Sequence, residues 1–316
     1  MKLGTLSDSL HQLPFEEMLD TAATLGLAGV EVNVGGWSGT PHADVPTLLS
    51  DVRARDAYLR AFAARGLEIS ALNVTGNALN PSSRDHADAL ADAIRLAGAL
   101  GVGIVVTTSG LPAANAADTA PNWITSSNSA ENTAALRYQW EDVLYPFWTG
   151  MAALARENGV SRIAITMHAG QCVHNVHTLQ NLRDVIGPQI GANLDPSQLM
   201  LMGADPISSI DALGDALYRV HVTDIMINPP VLATTSYIDT GCLTDINARA
   251  WSYATPGYGH DEDWWARFAY RLCLNDYDGW LSLVHQDQVL SPKAALEKST
   301  SVMRRALPGP LCATRS

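Results

Sequence analysis

The histidines and carboxylates at the ends of apolar runs are the residues of this chain best able to move protons. His168, Asp195, His221, Asp224, His260, His285 and Asp287 fall at the end of such a run or in the segment that follows one. Imidazole titrates close to neutral pH, so a histidine set against a carboxylate such as Asp195 can pass protons without a metal. His168 lies two residues beyond Thr166, and period-two alternation puts both side chains on one face if the strand extends that far. His285 follows Val284 directly; alternation turns it away, as a loop histidine bonded to backbone. Arg249, in Asn247-Ala248-Arg249-Ala250-Trp251, carries a guanidinium suited to anchoring a carboxylate, phosphate or enolate, or equally to a surface ion pair. His174 and His177 stand three apart at a helix start without partner residues and read as surface.

The elements that must position these groups are legible as an alternation. Short apolar runs at 2–6, 29–34, 68–72, 103–107, 162–167, 189–194, 216–222 and 279–284 are separated by segments of helical period. Eight such runs predict an α/β fold, a parallel (β/α)8 TIM barrel. Gly26, Gly66 and Gly101 each follow a helical stretch and precede a strand, the place of a C-cap. Two segments, 111–133 after the fourth strand and 226–263 after the seventh, are too long for connectors. Both belong to the face where strand C-termini open and active sites are built, and are expected to act as lids. Trp123 in the first, and Tyr237, Trp251, Tyr253 and Tyr258 in the second, could wall a small-molecule pocket or simply pack the loops down.

A length of 316 residues with 47% hydrophobic content suits one barrel domain spanning 1–316. The N-terminus reads as a first strand without a signal-peptide pattern, and no apolar run reaches membrane-spanning length, so a soluble, cytoplasmic protein is expected. Cys172, Cys242, Cys273 and Cys312 lack a C-x-x-C pair or regular spacing and are expected to be reduced thiols. A formal charge of −12 opposes nucleic-acid binding. The expected partner is a small-molecule substrate, with self-association into homo-oligomers left open.

Four segments carry a resemblance. Ala164-Ile165-Thr166-Met167-His168-Ala169-Gly170, Asn193-Leu194-Asp195-Pro196-Ser197-Gln198, Val220-His221-Val222-Thr223-Asp224 and Leu281-Ser282-Leu283-Val284-His285-Gln286-Asp287 resemble the metal-ligand strands of xylose isomerase-like TIM barrels, the sugar phosphate isomerase/epimerase superfamily. Pro121-Asn122-Trp123, Gln139-Trp140-Glu141, Ile227-Asn228-Pro229 and Gly257-Tyr258-Gly259-His260 extend the resemblance over nearly the whole chain. It implies a divalent cation, often manganese or magnesium, held by Glu, Asp, His and Glu, with the glutamates serving as acid and base on a hydroxy-ketone or aldose. The matching positions here are Thr166, Asp195, His221 and Val284, so the three carboxylates are reduced to one. Gln198 stands where the family usually has histidine, and Val74-Thr75-Gly76-Asn77-Ala78-Leu79-Asn80-Pro81 replaces a pattern that commonly contains histidines.

Hard dications prefer several oxygen ligands, so no cofactor is expected, with manganese or magnesium as the alternative. The joint pattern reads as replacement of the metal chemistry. Asp195 and His221, at family ligand positions, are the expected catalytic pair, with His168 next; Arg249, His260, Gln198, Thr166, Trp123, Trp251 and Tyr258 are expected to bind substrate. The expected function is metal-independent isomerisation, epimerisation, dehydration or cyclisation of a small polar or biosynthetic-intermediate substrate. The alternatives are a metal isomerase in which Asp224, Asp287 or His168 replaces a lost ligand, and a silent binder of a small ligand or partner.

Overall fold

A computed structural model describes residues 1–238 and 240–309; Cys312 lies outside them. Eight parallel strands close into a barrel: β1 (Lys2–Leu6), β2 (Gly29–Asn33), β3 (Glu68–Asn73), β4 (Ile104–Thr108), β5 (Arg162–Thr166), β6 (Ile190–Leu194), β7 (Leu217–Val222) and, after an antiparallel excursion of β8 (Asp224–Ile227) and β9 (Trp251–Ala254), β10 (Trp280–Leu283). The eight expected runs coincide with the barrel strands to within two residues at each end. Gly26, Gly66 and Gly101 adopt the left-handed conformation expected of them, with φ of 64°, 67° and 71°.

The outward faces of the strands meet the helices in one apolar layer, where Ile165, Leu194, Val220 and Leu283 join Leu90, Trp148, Leu182 and Phe268. The inward face carries a polar layer, with Glu31 of β2, Arg219 of β7 and Ser282 of β10 all fully buried. Alternation explains how β7 serves both layers: Arg219 and His221 point inward, Val220 and Val222 outward. Among the described residues, no helix is long and apolar enough to cross a membrane, and Cys172 and Cys242 are free thiols.

The two long segments differ in kind. Residues 109–129 form an irregular excursion pinned by a polar anchor: Gln139 Nε2 donates to the carbonyls of Pro112 (3.2 Å), Ala113 (3.3 Å) and Asn122 (2.7 Å). Gln139 lies in a π-helical stretch, Tyr138–Leu144, inside a longer helix, and such a stretch re-aims side chains relative to the regular repeat. The segment after β7 is not all loop: β8 and β9 give it a two-stranded base. There Ile225, Trp251 and Ala250 pack on Met200 and Leu201, just beyond β6.

Candidate active site at the barrel mouth

A cavity of about 170 Å³ opens at the C-terminal ends of the barrel strands. Thr166, Asp195, His221 and Val284 all line it, as do His168 and Gln198. The strand order β10-β7-β6-β5 then fixes their arrangement: Asp195, after β6, stands between His221 on β7 and His168 beyond β5. One carboxyl is thus flanked by two imidazoles.

Asp195 Oδ1 accepts from the backbone N–H (3.0 Å) and hydroxyl (2.6 Å) of Ser197, as the N-cap of a short helix, Pro196–Met200. Burial pushes its carboxyl pKa above the ordinary carboxylate value, with His221, Ser197 and His168 opposing the rise only in part. His168 keeps part of its surface open at the mouth, yet the protein packed around it disfavours the charged ring and lowers its pKa. Gln198 donates to the Tyr253 hydroxyl at 3.0 Å, which brings the β8–β9 excursion to the edge of the cavity. Burial, reinforced by Asp195, pushes that phenol up to about 12, so it remains protonated.

His221 Nε2 lies 3.0 Å from Glu31 Oε1. Glu31 also accepts from Asn73 Nδ2 (2.7 Å), Arg219 Nε (2.6 Å) and the Ser282 hydroxyl (2.8 Å). Burial opposes ionisation of Glu31, but the Arg219 guanidinium and the His221 ring outweigh it and hold the carboxyl well below its usual range. An ionised carboxylate only accepts, so the shared proton resides on His221 Nε2, and Nδ1 is the atom of the neutral ring that can take a proton. Arg219 is itself held by the Ser70 carbonyl (3.0 Å) and hydroxyl (2.6 Å) and by the Ser282 hydroxyl (2.7 Å).

Sequence reasoning missed Glu31, Arg219, Asn73 and Ser282. The available signal was a lone charge inside each of two apolar runs, Val30-Glu31-Val32 and Tyr218-Arg219-Val220, which a closed barrel can tolerate only if the charges meet. It also missed Trp37, 53% exposed at the cavity rim with its ring centroid 5.7 Å from that of His168. Gly36 makes that placement possible: its φ is 76°, and a Cβ there would come within 2.1 Å of the Thr75 carbonyl oxygen.

Five expected binding residues lie elsewhere. Arg249 does not line the cavity. It is buried in its own loop, bonded to the carbonyls of Gly241 and Trp251, with its guanidinium 4.7 Å from the Trp251 ring centroid. Trp251 donates to the Tyr237 carbonyl at 2.9 Å and packs the excursion down. Tyr258 is 59% exposed beneath Lys298. His260 Nδ1 is 2.7 Å from Asp224 Oδ1, a carboxylate buried beneath Trp265, and neither lines the cavity. Trp123 lines a separate cavity, together with His174, which is half-buried rather than a surface residue; His177 is exposed as expected. His285 turns out of the barrel cavity, in line with strand alternation.

The donors present do not fit the family's divalent cation. Thr166 Oγ1 already accepts from Asn193 Nδ2 at 2.9 Å, Val284 has no ligand atom, and Asp287 is bound to Thr255 away from the cavity. Among the described residues, no three His, Cys, Asp or Glu side chains are grouped to hold a metal ion. Restoring the two carboxylates by Thr166→Glu with Val284→Glu is expected to create manganese affinity measurable by calorimetry. No gain over wild type would mean that these positions do not converge as the cavity suggests.

The chain belongs to the xylose isomerase-like TIM barrel family, whose profile matches residues 19–306. A Bacillus subtilis (strain 168) protein described as uncharacterized, YfiH, is 39% identical over 311 residues, covering 97% of this chain and 99% of that one. Among solved structures, the probable 3-DHS dehydratase AsbF from Bacillus anthracis, involved in petrobactin synthesis, superposes with a TM-score of 0.65 at 15% identity, over 96% of this chain and 99% of that one. The 3-keto-D-glucoside 4-epimerase YcjR from E. coli gives 0.65 at 12% identity, over 96% and 99%. The IOLI protein with a bound zinc atom gives 0.66 at 17% identity, over 97% and 98%. At these identities the solved structures share the fold, and the fold has been put to epimerase and dehydratase chemistry.

Proposed function

We propose that the protein is an isomerase- or lyase-type enzyme that moves protons on a small hydroxylated carbonyl compound, using His221, Asp195 and His168 in place of a metal and its glutamates. The observation that carries this reading is the buried Asp195 carboxyl, with its raised pKa, standing between two imidazoles at the barrel mouth. His221 Nδ1 accepts the proton from the carbon beside the substrate carbonyl, while protonated Asp195 donates to the carbonyl oxygen, giving an enediol. His168, neutral by virtue of its surroundings, first takes the hydroxyl proton on the other side and, once charged, can return that proton to carbon. Return to the neighbouring carbon, with loss of the hydroxyl proton, completes an isomerisation; return to the opposite face of the first carbon completes an epimerisation; departure of a β-hydroxyl as water completes a dehydration. The epimerase and dehydratase relatives support this class, and the cavity size and the Trp37 rim support a small, ring-sized substrate.

The test is proton exchange in deuterium oxide. Ketoses, aldoses and hydroxy-keto acids are incubated with the protein and followed by proton NMR. At least one is expected to lose a C–H signal at a rate unchanged by chelator and abolished in His221→Ala. Exchange that stops on chelation overturns the metal-free chemistry, and absence of exchange across the panel overturns the enzyme reading in favour of a binder.

A further inference from the structure

The barrel cavity has a second half, away from the histidines. The closed strand order β1-β10-β7-β6-β5-β4-β3-β2 sets β1 opposite β5 and β2 opposite β6. Asp8, in the turn Ser7–Leu10 that follows β1, therefore stands across the cavity from His168, and Asn33, at the end of β2, stands across from Asp195. All four residues line the cavity. A substrate whose reacting carbons lie against Asp195 and the histidines extends its other end toward Asp8 and Asn33.

The main chain of Asp8 is fully engaged. Its N–H donates to Asn33 Oδ1 at 2.9 Å, and its carbonyl accepts from the His11 N–H at 3.1 Å and lies 2.9 Å from His11 Nδ1. The carboxyl, by contrast, makes no hydrogen bond or ion pair among the described residues, and it is not one of the buried polar atoms left unpaired. Asp8 is half-buried, so its carboxyl is the part that remains open to an occupant.

Among the described residues, no Lys or Arg lines this cavity. Arg219, two residues before His221 on the inward face of β7, is committed to Glu31, Ser70 and Ser282. His168 is kept neutral by its surroundings, and His11 does not line the cavity. A phosphate or carboxylate entering here would leave water to face an aspartate with no permanent cation to meet it. A hydroxyl loses nothing on entry, because it donates to the Asp8 carboxylate.

Taking this cavity as the site of proton transfer, we propose that Asp8 is a specificity residue, which accepts a substrate hydroxyl at the end remote from the reacting carbonyl and disfavours substrates carrying an anionic group there. The substrate class is then an uncharged polyhydroxy aldehyde or ketone, in preference to a sugar phosphate or sugar acid. Discrimination of this kind works by placing a repulsive group against the wrong ligand as well as a bond for the right one.

Saturation-transfer NMR with matched probes tests this: D-glucose against D-glucuronate, and D-galactose against D-galacturonate. The members of each pair differ only in a hydroxymethyl group against a carboxylate, so size does not separate them. Wild type is expected to bind at least one hexose more tightly than its uronate by about tenfold or more, the scale of a like-charge contact at a partly hydrated site. Asp8→Asn, which can still accept a hydroxyl, should remove most of that margin by strengthening uronate binding, and Asp8→Lys should reverse the order. Both variants should keep the wild-type thermal midpoint, since the carboxyl holds no other part of the protein. Equal binding within both pairs, no binding of either hexose, or a margin that Asp8→Asn leaves untouched overturns the assignment. The readout is binding alone, so an intact margin without proton exchange would count against the chemistry and not against Asp8, and exchange without a margin would do the reverse.

Discussion

Glu31→Gln is expected to lower the proton-exchange rate by ~10²-fold or more, and separately to destabilise the fold by about 3–5 kcal/mol. The stability effect follows from Arg219, which is fully buried and would lose the carboxylate it is paired with. The rate effect follows from His221, whose Nε2 proton is fixed by a carboxylate and would face an amide able to present either a donor or an acceptor. Glu31→Gln combined with Arg219→Met separates the two. Thermal stability should largely return, because the stranded charge is gone, while the exchange rate stays low. Recovery of both would reduce Glu31 to a structural role. The pH dependence has a definite sign. Folding depresses the Glu31 pKa below its ordinary value of 4.5, so its stabilising contribution is complete above that value and is lost as pH falls through the lower folded value. The gap in thermal midpoint between wild type and Glu31→Gln should therefore narrow only below about pH 4.5.

The barrel was legible because each parallel strand is covered by helices outside and filled inside, which leaves short apolar runs at regular intervals. The cavity was legible in the four family positions, since Thr166, Asp195, His221 and Val284 meet there. What stayed hidden depends on pairings across the barrel. Glu31 and Arg219 are 188 positions apart in sequence, and nothing local says that they are 2.6 Å apart in space. The long segment after β7 misled for a different reason. Its aromatic residues and Arg249 look like pocket chemistry, but a segment that must fold on top of the barrel needs a core of its own, and Arg249, Trp251 and Tyr237 are used to build it. Tyr253 is the aromatic residue of that segment which reaches a cavity residue, through Gln198.

Asp195→Asn is expected to lower proton exchange by ~10²–10⁴-fold while leaving the thermal midpoint at neutral pH unchanged or slightly raised. An asparagine oxygen can still accept from the Ser197 N–H and hydroxyl, so the cap on the helix Pro196–Met200 survives. What disappears is a carboxyl that folding makes harder to ionise. A group whose folded pKa is raised above its ordinary value, 3.8 here, contributes its full stability below that value and loses it as pH rises through the folded pKa. Wild type should therefore lose stability relative to Asp195→Asn as pH climbs from below 3.8 toward neutrality, the reverse of the trend for Glu31→Gln. Opposite slopes for two carboxyls in contact with or near the same histidine would be hard to produce by general loosening of the barrel. They follow if Glu31 is kept charged to hold His221 and Asp195 is kept protonatable to serve as the acid. Undiminished exchange in Asp195→Asn would remove Asp195 from the chemistry and leave it to the other ionisable groups lining the cavity, His221, His168 and Asp8.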